Sequence, residues 1–544
     1  MLDRMLSRRD TVKVSAAVAA SSAVGLPLLA GSAPRAAAQD GDNTIVIAID
    51  ADPEHLNMAL TSSVTVQVPA CMVQQGLIVL DRSYAPTPEL AESWEVSEDS
   101  TEYVFHLQKD VTWSDGNPFT SADVKFSIEE VALQYQPIAK STFERITSIE
   151  TPDDHTVVIK LSEPYGPFMN SMECDTCPML PKHIFEGQDV LTHPATLDSP
   201  IGTGPYLLEE WRRGEGLTFT RNPNYWKADQ PYLDRVVVQV LPQASGRASA
   251  LMAGEVDYLL EWLVDRADVA QFENNPNFLV EYGLGSPGNL VVSINVRNEP
   301  LSNALVRQAL LTATDRQFLI DAAYFGIGEV ATSAITPRLP WANNLDVNLN
   351  ETYAFDPERA AELLDEAGYP ADADGKRFPF RLVYSATDAN FPQVAEILRS
   401  QWNEVGIDVQ LTPLDEEVLN NQVFVNYDFD GVILGLTTSG DPAVGIQRLY
   451  HSDAIDGRPY RNASGFSNPE VDRLFDEGAT KGTQEERAPF YHEVQAILAE
   501  EVPSLVLIDI IAVDLASARF NFPDSLWKFN YPIARWDEVE QVSS

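Results

Sequence analysis

The chain of 544 residues is 44% hydrophobic, enough apolar material for two or three folded domains and too much for a mainly disordered protein. Its 81 acidic against 37 basic side chains give a formal charge of −44, and the first 38 residues, with five basic and two acidic groups, leave the remainder more acidic still. Such a surface repels nucleic acid and anionic lipid over a Debye length of about 10 Å, which argues against both as partners without favouring cation binding.

In chain order, Ser7-Arg8-Arg9-Asp10 precedes a weakly hydrophobic run from Ala16 to Ala30, and Ala36-Ala37-Ala38 follows. This is the layout of a twin-arginine export signal over residues 1–38, with cleavage before Gln39. The apolar run is too short to span a bilayer core about 30 Å thick, and Pro27 interrupts it. No cysteine follows the cleavage position to take a lipid, so the mature chain is expected to be soluble in the periplasm.

Thr44 to Ile49 is a nearly continuous apolar run, which predicts a strand in a sheet covered on both faces. From Glu102 to Gln108 the residues alternate with Tyr103, Phe105 and Leu107, the period of a half-buried strand. The turn residues 114–118 end that run, and Thr120 to Asp123 forms a capping box opening a helix that carries Val124, Phe126 and Ile128. Cys174 and Cys177, with Cys71 the only cysteines, point to a small disulfide loop or buried thiols. A metal or redox role is disfavoured, because no second CxxC exists and Pro178 stands where a thioredoxin-like motif would open a helix.

The run 283–288 satisfies GxGxxG, but Pro287 and the apolar residues 291–294 predict a loop leading into a strand and not a dinucleotide site. Asp356-Pro357 to Gly368 carries the cap, first-turn proline and glycine stop of a helix. Asp372 to Gly375 resembles the start of a calcium loop, but Lys376 stands at the third ligand position and a helix-to-strand turn is expected. Phe380, Leu382 and Tyr384 alternate, Val394, Ile397, Leu398 and Val405 follow helical spacing, and Ile407, Val409 and Leu411 alternate again after Gly406. That is a βαβ crossover and hence a parallel strand pair. Asn468-Pro469 opens a further helix, Ser504 to Ile511 reads as a buried strand, and Arg307, beside Val306 and Leu310, has a structural role. The fold class is therefore α/β with antiparallel pieces near 102–107 and 218–220. The seven histidines are scattered without metal spacing and no GxSxG elbow occurs, so no catalytic residue and no metal or cofactor site is nominated.

Two blocks carry a family resemblance. Pro88 to Glu129 and Pro200 to Trp226 (PIGTGPYLLEEWRRGEGLTFTRNPNYW) resemble the hallmark segments of the extracellular solute-binding proteins of family 5, the peptide- and nickel-binding group that serves ABC importers, and the likeness continues to about Asp509. The resemblance implies a periplasmic-binding-protein fold of two α/β lobes joined by a hinge, with a smaller inserted domain. The first lobe would comprise 43–80, 201–290 and 506–544, the inserted lobe 81–200 and the third lobe 291–505. It further implies a monomer that closes on a solute between the first and third lobes and docks on a membrane permease, without catalysis.

Ligands of open α/β sheets lie beyond the carboxyl ends of the strands, which places the loops 385–390 and 437–441 at the site. The resemblance puts Thr438, Ser439 and Asp441 on the ligand-facing segment. Peptide-binding members commonly carry an aspartate four residues before the proline, where this chain has Thr438, and a hydroxyl cannot neutralise a peptide ammonium. Glu261, Trp262 and Asn289 are further lining candidates, Trp262 equally as a core residue. A peptide-like solute is the primary reading. An oligosaccharide, opine-like compound or metal chelate on the same fold, a secreted hydrolase using paired carboxylates, and a chemoreceptor adaptor are the alternatives.

Overall fold

The computed structural model describes residues 43–81, 84–136, 140–283, 288–438, 440–522 and 535–542; the expected export signal and Ser439 lie outside them. Three larger sheets, beside two two-stranded ones, organise these residues. In a seven-stranded sheet, Thr44–Ile49 runs parallel to Arg235–Val240 on one side and Tyr258–Leu259 on the other. All six of its residues are buried, which explains an apolar run with no alternation. Gly216–Arg221 and Tyr206–Arg212 extend this sheet antiparallel at one edge, and Val513–Ser517 and Phe278–Tyr282 at the other.

A six-stranded sheet contains the expected crossover. Pro379–Ser385 pairs in parallel with Asp408–Leu414, and Phe391–Glu404 crosses between them with Val394, Ile397, Leu398 and Trp402 buried. Gly431–Thr437 adds a third parallel strand, then Gly288–Ile294, Ser504–Ile510 and Glu329–Val330 follow antiparallel. The third sheet, Ala91–Val96, Glu102–Leu107, Thr156–Leu161 and Ile146–Asp153, is antiparallel throughout. Its alternation is the expected one, with Tyr103, Phe105 and Leu107 inward. The Thr120 backbone N–H donates to Asp123 at 2.8 Å, closing the capping box of Ser121–Phe126.

The chain passes between the two large sheets twice, from Tyr282 to Gly288 and from Ile510 to Val513. Ser504–Ile510 pairs within the six-stranded sheet, so a boundary at residue 506 would fall inside that strand. Buried carboxyls flank the second passage. Asp509 accepts a hydrogen bond from Asn289 at 2.6 Å, and burial pushes its pKa up to about 7. Asp514, five residues on, is likewise raised to about 7 by burial, against the bond from Tyr258 that lowers it.

The Gly202-Thr203-Gly204 block has a steric explanation. A Cβ on Gly202 would stand 1.9 Å from the Val73 carbonyl oxygen, and one on Gly204 2.6 Å from that of Met72. Nearby, Trp226 donates to Gln75 at 3.1 Å and Lys227 pairs with the buried carboxylates of Glu89 and Asp537 at 3.3 and 3.0 Å. These residues therefore join distant chain segments. The expected turn at 372–375 is present, with Asp372 accepting from the backbone of Asp374 and Lys376. Arg307 is buried and donates to the carbonyls of Leu301, Ser302, Glu501 and Val502. Of the two readings of the cysteines, the structure shows buried thiols and not the disulfide loop: all three are free and buried, and the Cys174 sulfur lies 2.9 Å from Cys71. A tight turn, Cys177 N–H to the Glu173 carbonyl at 2.7 Å, directs Cys177 into a separate core.

Candidate functional site

A cavity of about 1240 Å³ opens where three parts of the chain meet. One wall includes Gln67 from the helix Val64–Ala70, a second Arg145, Tyr165, Glu173 and Asp175, and a third Thr437, Asp441, Arg448 and Arg461. The third wall follows from topology. Gly431–Thr437 is an inner strand of the six-stranded sheet, so its carboxyl end must release the chain at the sheet's rim, where α/β folds place ligands.

Asp441 starts the short helix Pro442–Gly445 by accepting from the Ala443 N–H at 2.9 Å. Both its oxygens also receive the guanidinium of Arg487, at 2.6 Å each, with side chains only 4% and 2% exposed. Burial disfavours the charge on Arg487, but Asp441 more than offsets it, and the pKa lies above the ordinary arginine value. Arg487 donates in addition to the Tyr491 hydroxyl and the Gly478 carbonyl. The site loop and its Arg487 partner approach the 84–166 region closely: a Cβ on Gly166 would lie 2.7 Å from the Arg487 guanidinium of the helix Gln484–Glu501, and one on Gly440, at φ +66°, 2.2 Å from the Tyr84 ring.

Both walls carry charged groups of both signs. Glu173, which accepts from the Leu80 N–H at 2.7 Å, has its pKa raised by burial and then by Asp175, and Asp175 is raised by burial. Arg145 stacks over the Tyr165 ring at 4.2 Å and pairs with Glu163 at 3.5 Å. On the third wall, Asp456 takes both Arg461, at 2.9 Å, and the exposed Arg458. Among the described residues, Arg448 donates only to backbone, to the Tyr460 and Thr437 carbonyls at 2.5 and 3.3 Å. Burial, then repulsion from Arg461, holds its pKa below the usual arginine value.

Of the site residues expected from sequence, Asp441 lines this cavity, with its carboxylate occupied by Arg487. Thr438 is buried on the same loop, 1% exposed, and Ser439 lies outside the described residues. Glu261 and Trp262 sit in the short turn Glu261–Leu263 of the seven-stranded sheet, apart from the cavity wall. Burial and then the Asp514 charge push Glu261 up to about 8. Asn289 is buried against Asp509 beside the sheet crossing. The expected loop after Pro379–Ser385 instead lines a separate cavity of about 360 Å³, with Ser385, Thr387, Asp388 and Tyr460. Arg448, Arg461, Arg145 and Gln67 were not foreseen. The one signal available was three arginines within 448–461 of so acidic a chain. Among the described residues, no group of three or more metal-binding side chains gathers.

The sequence profile described as "Bacterial extracellular solute-binding proteins, family 5 Middle" matches residues 85–457. Heme-binding protein A of Haemophilus influenzae is 30% identical over 437 residues, 76% of this chain and 77% of that protein. The dipeptide-binding protein of Escherichia coli is 28% identical over 491 residues, 85% and 89% of the two chains. Among solved structures, NikA from Brucella suis in complex with Fe(III)-EDTA is 26% identical with a TM-score of 0.78, over 92% of this chain and all of that one.

Proposed function

Since this chain belongs to family 5 of the bacterial extracellular solute-binding proteins, we propose that it captures a small solute in the 1240 Å³ cavity and hands it to an ABC permease. The cavity carries this reading. It is large enough for a peptide-sized molecule, is bounded by segments from three parts of the chain, and combines a few charged groups with apolar wall. The chain changes sheet twice, and the described passage, Ile510 to Val513, would serve as a hinge about which the walls part and close. Lobes near 43–80, 201–290 and 506–544, near 81–200 and near 291–505 are the moving bodies of this reading, with the boundary at 506 shifted to the end of the strand Ser504–Ile510. Binding stabilises the closed form by as much as the solute prefers it. No covalent step is required, and the protein acts as a binding component and not as an enzyme. It is exported by the twin-arginine signal at 1–38 and works as a monomer in the periplasm.

A peptide-like solute fits the relatives whose names specify a dipeptide. A non-peptide solute is the second reading, and a specific observation favours it. On the 437–441 loop, the carboxylate of Asp441 is taken by Arg487 and position 438 is a threonine, so the described part of the loop offers no free carboxylate to an ammonium. The Fe(III)-EDTA bound by NikA illustrates such a ligand on a related chain. The deciding experiment is native mass spectrometry of the exported protein, followed by thermal-shift titration with peptides, sugars and metal chelates. A retained small molecule, or a shift that saturates with concentration, supports capture. Conversion of a library member to product in place of binding would move the assignment to a hydrolase.

A further inference from the structure

We propose that the wall formed by Arg448 and Arg461 is an anion subsite, and that the solute carries a carboxylate placed against it. The inference rests on the reading of the 1240 Å³ cavity as the solute site. Arg448 and Arg461 line that cavity from consecutive turns and loops of 447–461, and a single carboxylate, Asp456, serves Arg461 and Arg458 together. Arg448 has no carboxylate within ion-pair distance among the described residues; its two hydrogen bonds go to neutral carbonyls. The cluster of three guanidiniums and one carboxylate is thus left with two positive charges in excess.

Other acids on this wall do not pair with Arg448: Asp476 is exposed, accepts from Gln447 at 3.1 Å and lies 3.3 Å from His451, and Asp453 is exposed, so water screens both. Asp441 is neutralised by Arg487. The acids that remain, Glu144, Glu163, Glu173 and Asp175, belong to the opposite wall. In a chain of charge −44, positive charge left unpaired and part-buried on a cavity wall is costly unless something anionic completes it. A guanidinium is also the side chain whose planar fork matches a carboxylate in two parallel bonds.

An independent feature points the same way, toward an occupant with polar groups. Gln67 lines the cavity from Val64–Ala70, is 4% exposed, and its carbonyl oxygen has no hydrogen-bond partner. A buried amide oxygen left unpaired is disfavoured, so the bound solute presents an N–H or O–H to Gln67 while its carboxylate faces Arg448 and Arg461.

The test is thermal-shift and calorimetric titration of the exported protein with trialanine, trialanine amide, citrate and raffinose. It is repeated for Arg448→Gln, Arg448→Lys and Arg461→Gln after each variant's unfolding midpoint has been compared with wild type. The expected result is saturable binding of a carboxylate-bearing probe, at least about tenfold weaker in its amide form or in R461Q, as for loss of a charge-assisted bond, with partial retention in R448K. Equal binding of trialanine and its amide, binding of raffinose alone, or unaltered carboxylate affinity in both R448Q and R461Q would overturn the subsite and leave solute capture standing. No saturable shift with any of the four probes would count against capture in this cavity and the subsite with it.

Discussion

Asp441 and Arg487 neutralise each other inside the protein, and this fixes what each can do. An aspartate on the site loop invites the role of an ammonium acceptor, yet both its oxygens already hold a guanidinium at 2.6 Å. Replacing it by asparagine keeps the helix cap but strands the Arg487 charge, so D441N should lose about 3 kcal/mol of unfolding free energy, the lower end for breaking a buried pair. Urea denaturation checks this, and a loss under about 1 kcal/mol, typical of an exposed pair, would mean that the pair is open to water. Asp509 offers a second check. Its folded pKa of about 7 exceeds the unfolded value near 3.8, so the folded chain holds a proton that the unfolded chain has released between those values. Its contribution to stability is therefore complete below about pH 4 and lost as pH rises through about 7. Asp509→Asn should flatten the fall in unfolding free energy between pH 5 and pH 8, and an unchanged slope would contradict the burial-driven shift. Asp514 and Glu261 shift in the same direction, so a single variant removes only part of the slope.

At the scale of elements, the smaller antiparallel region comes close, through a glycine, to the helix Gln484–Glu501 whose Arg487 holds Asp441. A side chain at Gly166 would press on the Arg487 guanidinium at 2.7 Å. Gly166→Val should prop those elements apart, reducing solute affinity by about tenfold or more and leaving the compaction seen by small-angle scattering on solute addition incomplete. Full compaction with wild-type affinity would show that the contact is not part of closure. Local elements were largely legible from sequence. The capping box at Thr120, the crossover at 379–414 and the buried strand at Thr44–Ile49 each depend on spacing within one short segment. The partners of Cys174, Gly202 and Asp441 lie 103, 129 and 46 residues away along the chain, at Cys71, Val73 and Arg487. No periodicity encodes such distances. For that reason the site loop was legible while the arginine wall and Gln67, whose meaning lies in burial and missing partners, were not.

The whole molecule combines two large sheets, crossed twice by the chain, with a cavity whose walls come from segments far apart in sequence. Family membership follows from the match over 85–457, and the two resemblance blocks acquire a physical meaning here. Gly202, Gly204, Trp226 and Lys227 hold distant segments together, so the similarity records architecture more than the identity of the solute. The charge of −44 surrounds a wall on which Arg448 has no carboxylate partner among the described residues, and the two fields oppose each other for an incoming anion. Arrival and retention then respond differently to salt. Raising ionic strength from about 0.01 to about 0.1 M contracts the Debye length from about 30 to about 10 Å, which screens the repulsive envelope far more than the part-buried wall. Stopped-flow association of an anionic probe such as citrate should therefore accelerate as salt is added, with little change in dissociation, the reverse of electrostatic steering. A chain with this distribution of charge would capture its solute fastest in saline surroundings, and an association rate that falls with salt would show that the arginine wall, and not the acidic envelope, governs the approach.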